Sequence, residues 1–380
     1  MSSVYIHIPF CEKKCLYCDF YSIENRSAFD QFLDSLRREI DLYAEFGNRS
    51  AFETVFFGGG TPSLLTPRQL ESIIDRLRST FNITIDAEVT LETNPGTVSS
   101  EKLGAYRALG INRLSIGIQS FHENELLFLS RIHTREEAIK CVEFARQAGF
   151  ENINVDIIFS LPGQDLKRWE ENLRQAVALD PAHISAYSLI VEDNTPLARM
   201  VDAGQVSPSS VEVEAEMYEF TMRFLEERGF EHYEVSNYAR PGFRSRHNCN
   251  YWNHTNYLGF GPSAHSFWRN PGDSSGRRWW NIANVSHYCD RLAEDRLPIV
   301  SEEVIGPRDL ITERIFLGLR SDGVSLSALR SDFGVDLLHH QHEIINGLVD
   351  KHLVVVEDHS LRLTEKGYLL CDEICARLML

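Results

Sequence analysis

Between residues 4 and 189, short apolar runs rich in β-branched residues alternate with amphipathic segments of helical spacing. The strands read at residues 4–8, 54–57, 88–92, 113–118, 154–160 and 183–189. The helices between them read at 29–46, 67–81, 100–109, 135–148 and 166–178. In the first helix Phe29, Phe32, Leu33, Leu36, Ile40 and Tyr43 make one apolar stripe. Gly110 and Gly149 stand where two of the helices should stop. A strand that reaches its neighbour through a helix pairs parallel to it, by a right-handed crossover. Residues 154–160 are apolar nearly throughout, as a sheet covered on both faces requires. The pattern predicts an α/β fold, a partial (β/α)6 barrel, with ligands gathered at the carboxyl ends of its strands.

Directly after the first strand, Cys11, Cys15 and Cys18 stand in a C-x3-C-x2-C spacing. A structural zinc site is closed by four ligands, and most iron–sulfur clusters take four cysteines. No fourth cysteine is near in sequence. Three thiolates in one loop suggest a cubane with one iron left for a ligand that is not protein; a zinc loop with a distant fourth ligand is the alternative. After the second strand comes Gly58-Gly59-Gly60-Thr61-Pro62, a tight turn or a place where backbone approaches a ligand closely. Glu92, Gln119, Arg131 and Asp156 fall at or near later strand ends. Asp156 is the most informative, because a carboxylate on an apolar strand is costly to bury unpaired.

The C-x3-C-x2-C loop resembles the cluster loop of the radical S-adenosylmethionine (SAM) superfamily, and nearly the whole chain is similar to the branch related to oxygen-independent coproporphyrinogen III oxidase. That resemblance implies a 4Fe–4S cluster on Cys11, Cys15 and Cys18, with SAM chelated to the open iron. It implies SAM contacts from Gly59, Gly60 and Thr61 in the glycine motif, and from Glu92, Gln119, Arg131 and Asp156, with the arginine on the SAM carboxylate. Tyr5 and Tyr17 match positions beside SAM or the cluster. Further on, His247-Asn248-x-x-Tyr251-Trp252 resembles the H-N-x-x-Y-W signature of HemW-type heme chaperones, where the histidine is implicated in heme binding. Imidazole is a usual axial ligand of heme iron and aromatic walls suit a porphyrin. His254, His265 and Cys249 are competing candidates for that iron, and a core histidine with satisfied partners is the ordinary alternative.

Two departures separate this chain from the oxidases. Those carry a further cysteine two residues after the third, where this chain has Phe20, and an N-terminal extension, where this chain has ten residues before Cys11. The expected function is therefore a heme chaperone that delivers heme to apo-hemoproteins. The competing function is oxidative decarboxylation of coproporphyrinogen III to protoporphyrinogen IX. The resemblance also implies a homodimer.

Three parts are expected: the barrel over 1–200, an aromatic-rich extension with the H-N-x-x-Y-W motif over 201–300, and a winged-helix-like unit over 301–380. A capping box at Ser209 and Glu212 should open the first helix of the extension. Winged helices often bind DNA, but the last unit is net acidic and the whole chain carries −17, the wrong sign for phosphate backbones. Cys371 and Cys375, spaced i,i+4, read as a thiol pair rather than a metal site. No apolar run is long enough to span a bilayer and no signal peptide is visible, which predicts a cytoplasmic protein, transiently at a membrane if its acceptors are respiratory. Eight cysteines without an export signal point to reduced thiols.

Overall fold

The structure, a computed structural model, describes residues 2–46 and 50–379. Six parallel strands form its centre: β1 (Ser2–Ile8), β2 (Phe52–Gly59), β3 (Ile83–Thr93), β4 (Arg113–Gln119), β5 (Asn152–Phe159) and β6 (His183–Ser188). They pair in sequence order, as one-directional right-handed crossovers demand. The helices expected between them are present, with Thr66 and Thr134 closing capping boxes at the starts of Pro67–Thr80 and Arg135–Gln147. The first helix is shorter than its apolar stripe suggests: Phe29–Leu42 ends before a 3-10 turn at Ala44–Phe46.

The strands divide their side chains by the period of two. Leu114, Ile116 and Ile118 of β4 are fully buried against the outer helices. Arg113, Ser115 and Gly117 alternate with them and face the barrel lumen. In β5 the split is Val155 and Ile157 against Asn154 and Asp156. Residues 154–160 are thus less uniformly apolar than a doubly covered strand, because one face lines a polar cavity.

Residues beyond the barrel extend the same sheet at both edges. At the β6 edge, β8 (Asn237–Ala239) and then β7 (Glu231–Glu234) add antiparallel. At the β1 edge, β9 (Asn256–Phe260) adds parallel, followed by antiparallel β10 (His265–Trp268), β11 (Gly276–Asn281) and β12 (Ile299–Ile305). Twelve strands result among the described residues. The aromatic residues of this stretch are largely core: Trp279 stacks on Tyr43 and donates its indole N–H to the Tyr43 hydroxyl at 2.7 Å. The helix Val211–Glu226 is capped by Ser210, not by a box at Ser209 and Glu212. Its third position is Val213, which cannot return the bond, and the Ser209 hydroxyl instead donates to the carbonyls of Ser160 and Leu161.

The C-terminal unit follows the helix Pro307–Leu319. It has a three-stranded sheet of β13 (Val324–Ser325), β14 (Val354–Glu357) and β15 (Ser360–Leu363), and a separate core that includes Ile315, Leu329, Leu348 and Leu361. It is tied to the body by the Val235 N–H to the Arg320 carbonyl at 3.0 Å and by Arg278 to Glu313 at 2.6 Å. Among the described residues no helix is long and apolar enough to cross a membrane.

Candidate functional site

A cavity of about 650 Å³ runs from the carboxyl ends of the strands down into the lumen. Tyr5, Cys11, Cys15, Tyr17, Cys18, Gly59, Gly60, Thr61, Glu92, Gln119, Arg131, Asp156 and His247 all line it. Residues 242 positions apart in the chain are therefore brought to one space, as parallel strands with every carboxyl end at one rim must do.

The cysteine loop is pinned at its neck. The Cys11 N–H donates to the Ile23 carbonyl at 3.0 Å, and the Ile23 N–H to the Pro9 carbonyl at 2.8 Å. Its far side is held where the Leu197 N–H meets the Leu16 carbonyl at 3.0 Å. Cys11 is buried, Cys15 and Cys18 are half-buried, and all three are free thiols. Thr61 Oγ1 donates to Cys11 Sγ at 3.6 Å and Arg131 donates to Cys15 Sγ at 3.5 Å, the donors that thiolates require. Among the described residues no three His, Cys, Asp or Glu side chains converge on a point as a single ion needs. Three spaced thiols with charge-stabilising donors fit a cluster held by this loop alone.

The glycine motif has steric reasons for its glycines. A Cβ on Gly60 would lie 2.6 Å from the Phe10 carbonyl oxygen, at the base of the cysteine loop. Gly59 has φ +109, and a Cβ there would meet the His7 ring at 2.7 Å. Its N–H donates to Glu92 Oε2 at 3.2 Å. Burial, and then the neighbouring Asp156, push the Glu92 carboxyl up to about 8. Burial raises Asp156 as well, although Asn154 Nδ2 donates to it at 2.7 Å and Ser115 Oγ at 3.1 Å. Asp156 is thus held by neutral donors, which resolves the difficulty of an unpaired carboxylate on an apolar strand.

Arg131 reaches in from the segment after β4 and donates to Gly117 O at 2.6 Å and Asn94 Oδ1 at 2.8 Å, with the Tyr17 hydroxyl against it. Gln119 ends β4 with φ 72, a left-handed turn that takes the chain out of the strand at the rim. The Tyr5 hydroxyl bonds His7 Nδ1 at 3.1 Å, and His7 Nε2 bonds the Tyr21 carbonyl at 2.8 Å. The ring therefore donates from Nε2 and accepts at Nδ1, and burial holds it neutral by pushing it down to about 4.

His247 belongs to a seven-residue helix, Arg246–Trp252, that bonds to Thr54 near the amino end of β2 and to Glu88 of β3, away from the cysteine loop at the carboxyl ends of the strands. Ser245 caps it, and the Glu88 carboxylate accepts the backbone N–H of both Arg246 (3.1 Å) and His247 (3.0 Å). The ring is 2% exposed, stacks on Phe56 at 4.9 Å, and has both nitrogens engaged. Nδ1 pairs with Thr54 Oγ1 at 2.8 Å and Nε2 with the Tyr251 hydroxyl at 3.1 Å. Burial pushes it down to about 3, so it is a neutral imidazole with a lone pair. The competing candidates lie elsewhere. His254 stacks on Phe267, His265 stacks on Trp280, and Cys249 is not part of the cavity wall. Cys371 and Cys375 are buried in the C-terminal core with their sulfurs 4.0 Å apart.

Asn94, Arg113, Ser115, Asn154, Ser185 and Tyr251 also line the cavity. For Arg113, Ser115, Asn154 and Ser185 the signal in the sequence is the alternation of polar with apolar residues inside β4, β5 and β6, while Tyr251 belongs to the H-N-x-x-Y-W motif and Asn94 directly follows β3. That alternation is easily overlooked when each strand is read as one apolar run.

Residues 5–176 match the Radical SAM superfamily and residues 305–370 the HemN C-terminal domain. The chain is 38% identical to the "Heme chaperone HemW" of Bacillus subtilis, over 98% of each chain. It is 32% identical to the protein of that name from Lactococcus lactis, over 100% of this chain and 97% of that one. Among solved structures it resembles the coproporphyrinogen III oxidase HemN of Escherichia coli, described as a radical SAM enzyme, with TM-score 0.85, 25% identity, and coverage of 100% of this chain and 90% of the other.

Proposed function

This chain belongs to the HemW family of radical SAM proteins, and we propose that it is a heme chaperone that binds heme in the barrel lumen and passes it to apo-hemoproteins. The observation that carries this reading is the placement of the H-N-x-x-Y-W helix. It puts a neutral, buried imidazole into the wall of the same cavity that the three cysteines rim.

Cys11, Cys15 and Cys18 would hold the 4Fe–4S cluster that the family implies, with SAM beside it. When bound, that pair supplies one-electron chemistry that no side chain can supply. The chain's own part is arrangement. Thr61 and Arg131 stabilise two of the thiolates. Gly59 and Gly60 let backbone close on a ligand, and Glu92, Gln119 and Asp156 offer acceptors around it. At the other end His247 would hold the heme iron through Nε2 in place of its bond to Tyr251, with Thr54 on Nδ1 keeping the ring in orientation.

The experiment pairs two assays on anaerobically reconstituted protein. Saturable heme binding in a Soret titration, weakened at least about tenfold by His247→Ala and without decarboxylation of coproporphyrinogen III, supports the chaperone. Formation of protoporphyrinogen IX from coproporphyrinogen III and SAM overturns it. That second reading has the fold in its favour. Phe20 stands against it: 63% exposed at the cavity mouth, it is where the oxidases carry a further cysteine.

A further inference from the structure

Arg113 begins β4, in register with Thr90 and Asn152, and is 2% exposed. It lines the lumen cavity, and its Nε is buried without a hydrogen-bond partner. Among the described residues no carboxylate stands within ion-pair distance of its guanidinium. Arg131, half-buried in the same site, also lacks a partner at Nε but differs at its terminal nitrogens, which have Asn94, Gly117 and Cys15 as acceptors.

An isolated guanidinium in a protein interior costs several kcal/mol unless an anion answers it. The nearby acids answer poorly. Glu92 accepts from Gly59 and is pushed toward its neutral form, and Asp156 is held by Ser115 and Asn154. Both sense Arg113 only through space, as do His183 and His247. A planar fork of five donors facing a cavity is a receptor for a carboxylate, which it binds with two parallel hydrogen bonds.

We infer that Arg113 receives a carboxylate of the ligand that enters the lumen. The source of that carboxylate rests on the heme-binding reading above; its existence does not. Heme offers propionates and SAM an α-carboxylate, and the two are separated by analogues that lack the charge. Arg113 acts on His247 through space and both line the lumen, which favours the propionate of a heme held by His247.

The test measures heme against heme dimethyl ester by Soret titration, and SAM against decarboxylated SAM by anaerobic equilibrium dialysis. Both pairs are run on the cluster-loaded native protein and on Arg113→Gln. Loss of a charged, bidentate contact corresponds to about 10–100-fold in affinity. The expected result is that the ester binds the native protein weaker by that factor, and that Arg113→Gln weakens heme equally and closes the gap. Weaker SAM binding and a narrowed SAM gap in Arg113→Gln, with heme unaffected, assign the carboxylate to SAM and keep Arg113 as its receptor. Unchanged affinity for both parent ligands in Arg113→Gln, or a gap between heme and its ester that persists there while the SAM gap is not narrowed, overturns the inference. If that variant does not fold, the native protein decides: equal binding of heme and its dimethyl ester overturns the inference. Heme that fails to saturate the native protein sinks the chaperone reading, while the SAM pair still tests Arg113.

Discussion

The His247 ring is held like a core histidine and located like a ligand. Its Nε2 partner, Tyr251, is a cavity residue, so heme iron and the Tyr251 hydroxyl compete for one lone pair. Tyr251→Phe removes the competitor. A neutral hydrogen bond is worth about 1 kcal/mol, so this variant should bind heme about fivefold tighter, read as the Soret midpoint. Weaker binding would mean that the hydroxyl contacts heme itself. Glu92 makes a prediction of opposite kind. Its folded carboxyl titrates at about 8, above the ordinary 4.5. Between those values the unfolded chain has released the proton and the folded one retains it, so stability falls as pH rises through that window. Glu92→Gln should be more stable than the native protein at pH 8–9, by on the order of 1–2 kcal/mol given the cavity's access to water, and the difference should shrink toward pH 5. Urea titrations at both pH values check it. Gly60 acts through the backbone: Gly60→Ala pushes on the Phe10 carbonyl and so on the base of the cysteine loop. Lower iron and sulfide retention after reconstitution, with the fold intact by circular dichroism, is the expected result.

At the scale of elements, the helix Arg246–Trp252 is too short to be stable by itself. Its conformation depends on its first turn, where Ser245 accepts from the Asn248 N–H and Glu88 accepts from two more backbone N–H groups. These are the orphan donors of a helix start, and the carboxylate also meets the positive end of the dipole. Ser245→Ala should destabilise the protein by about 1 kcal/mol. Glu88→Ala should cost about 1–3 kcal/mol, because it leaves buried N–H groups unpaired, and should weaken heme binding although Glu88 does not touch the cavity. Unchanged heme affinity in Glu88→Ala would show that the helix does not position His247. The barrel strands were legible as elements because each is bounded by turn residues and joined by a helix with its own stripe. The length of the first helix and the cap at Ser210 were not, because both depend on which neighbour completes a hydrogen bond.

At the scale of the molecule, several histidines are enclosed neutral. Burial pushes His7 and His232 down to about 4 and His133 and His247 to about 3. In the unfolded chain each would take up a proton near pH 6.5. Below that pH the unfolded state therefore binds more protons, and stability present at neutral pH is lost as pH falls toward 4. The urea midpoint should drop steeply over that range, with a slope of more than one proton. A second consequence follows from the single cavity. His247 and the contacts expected for SAM line one space of about 650 Å³, so heme ligated by His247 and SAM cannot bind independently. Saturating SAM should shift the heme dissociation constant; identical titrations with and without SAM would place heme outside the lumen.

The order of strands and helices, the cysteine loop and the glycine motif are local patterns, and the chain alone was enough to read them. Parallel pairing then had to bring the strand ends Gly59, Glu92 and Gln119 to one rim, because helical crossovers leave no other arrangement. What only the tertiary structure decided lies in contacts between distant segments. Two sheet edges, at β1 and β6, were open to extension, and no periodicity says which later strand takes which edge or in which direction. The same packing turned His247, which reads in sequence as one aromatic-flanked histidine among several, into the wall of the cavity. It also left Arg113, inconspicuous at the start of a strand, as a buried charge facing that space. Both outcomes come from the curl of the sheet, since curvature and not sequence separation sets which side chains share a lumen.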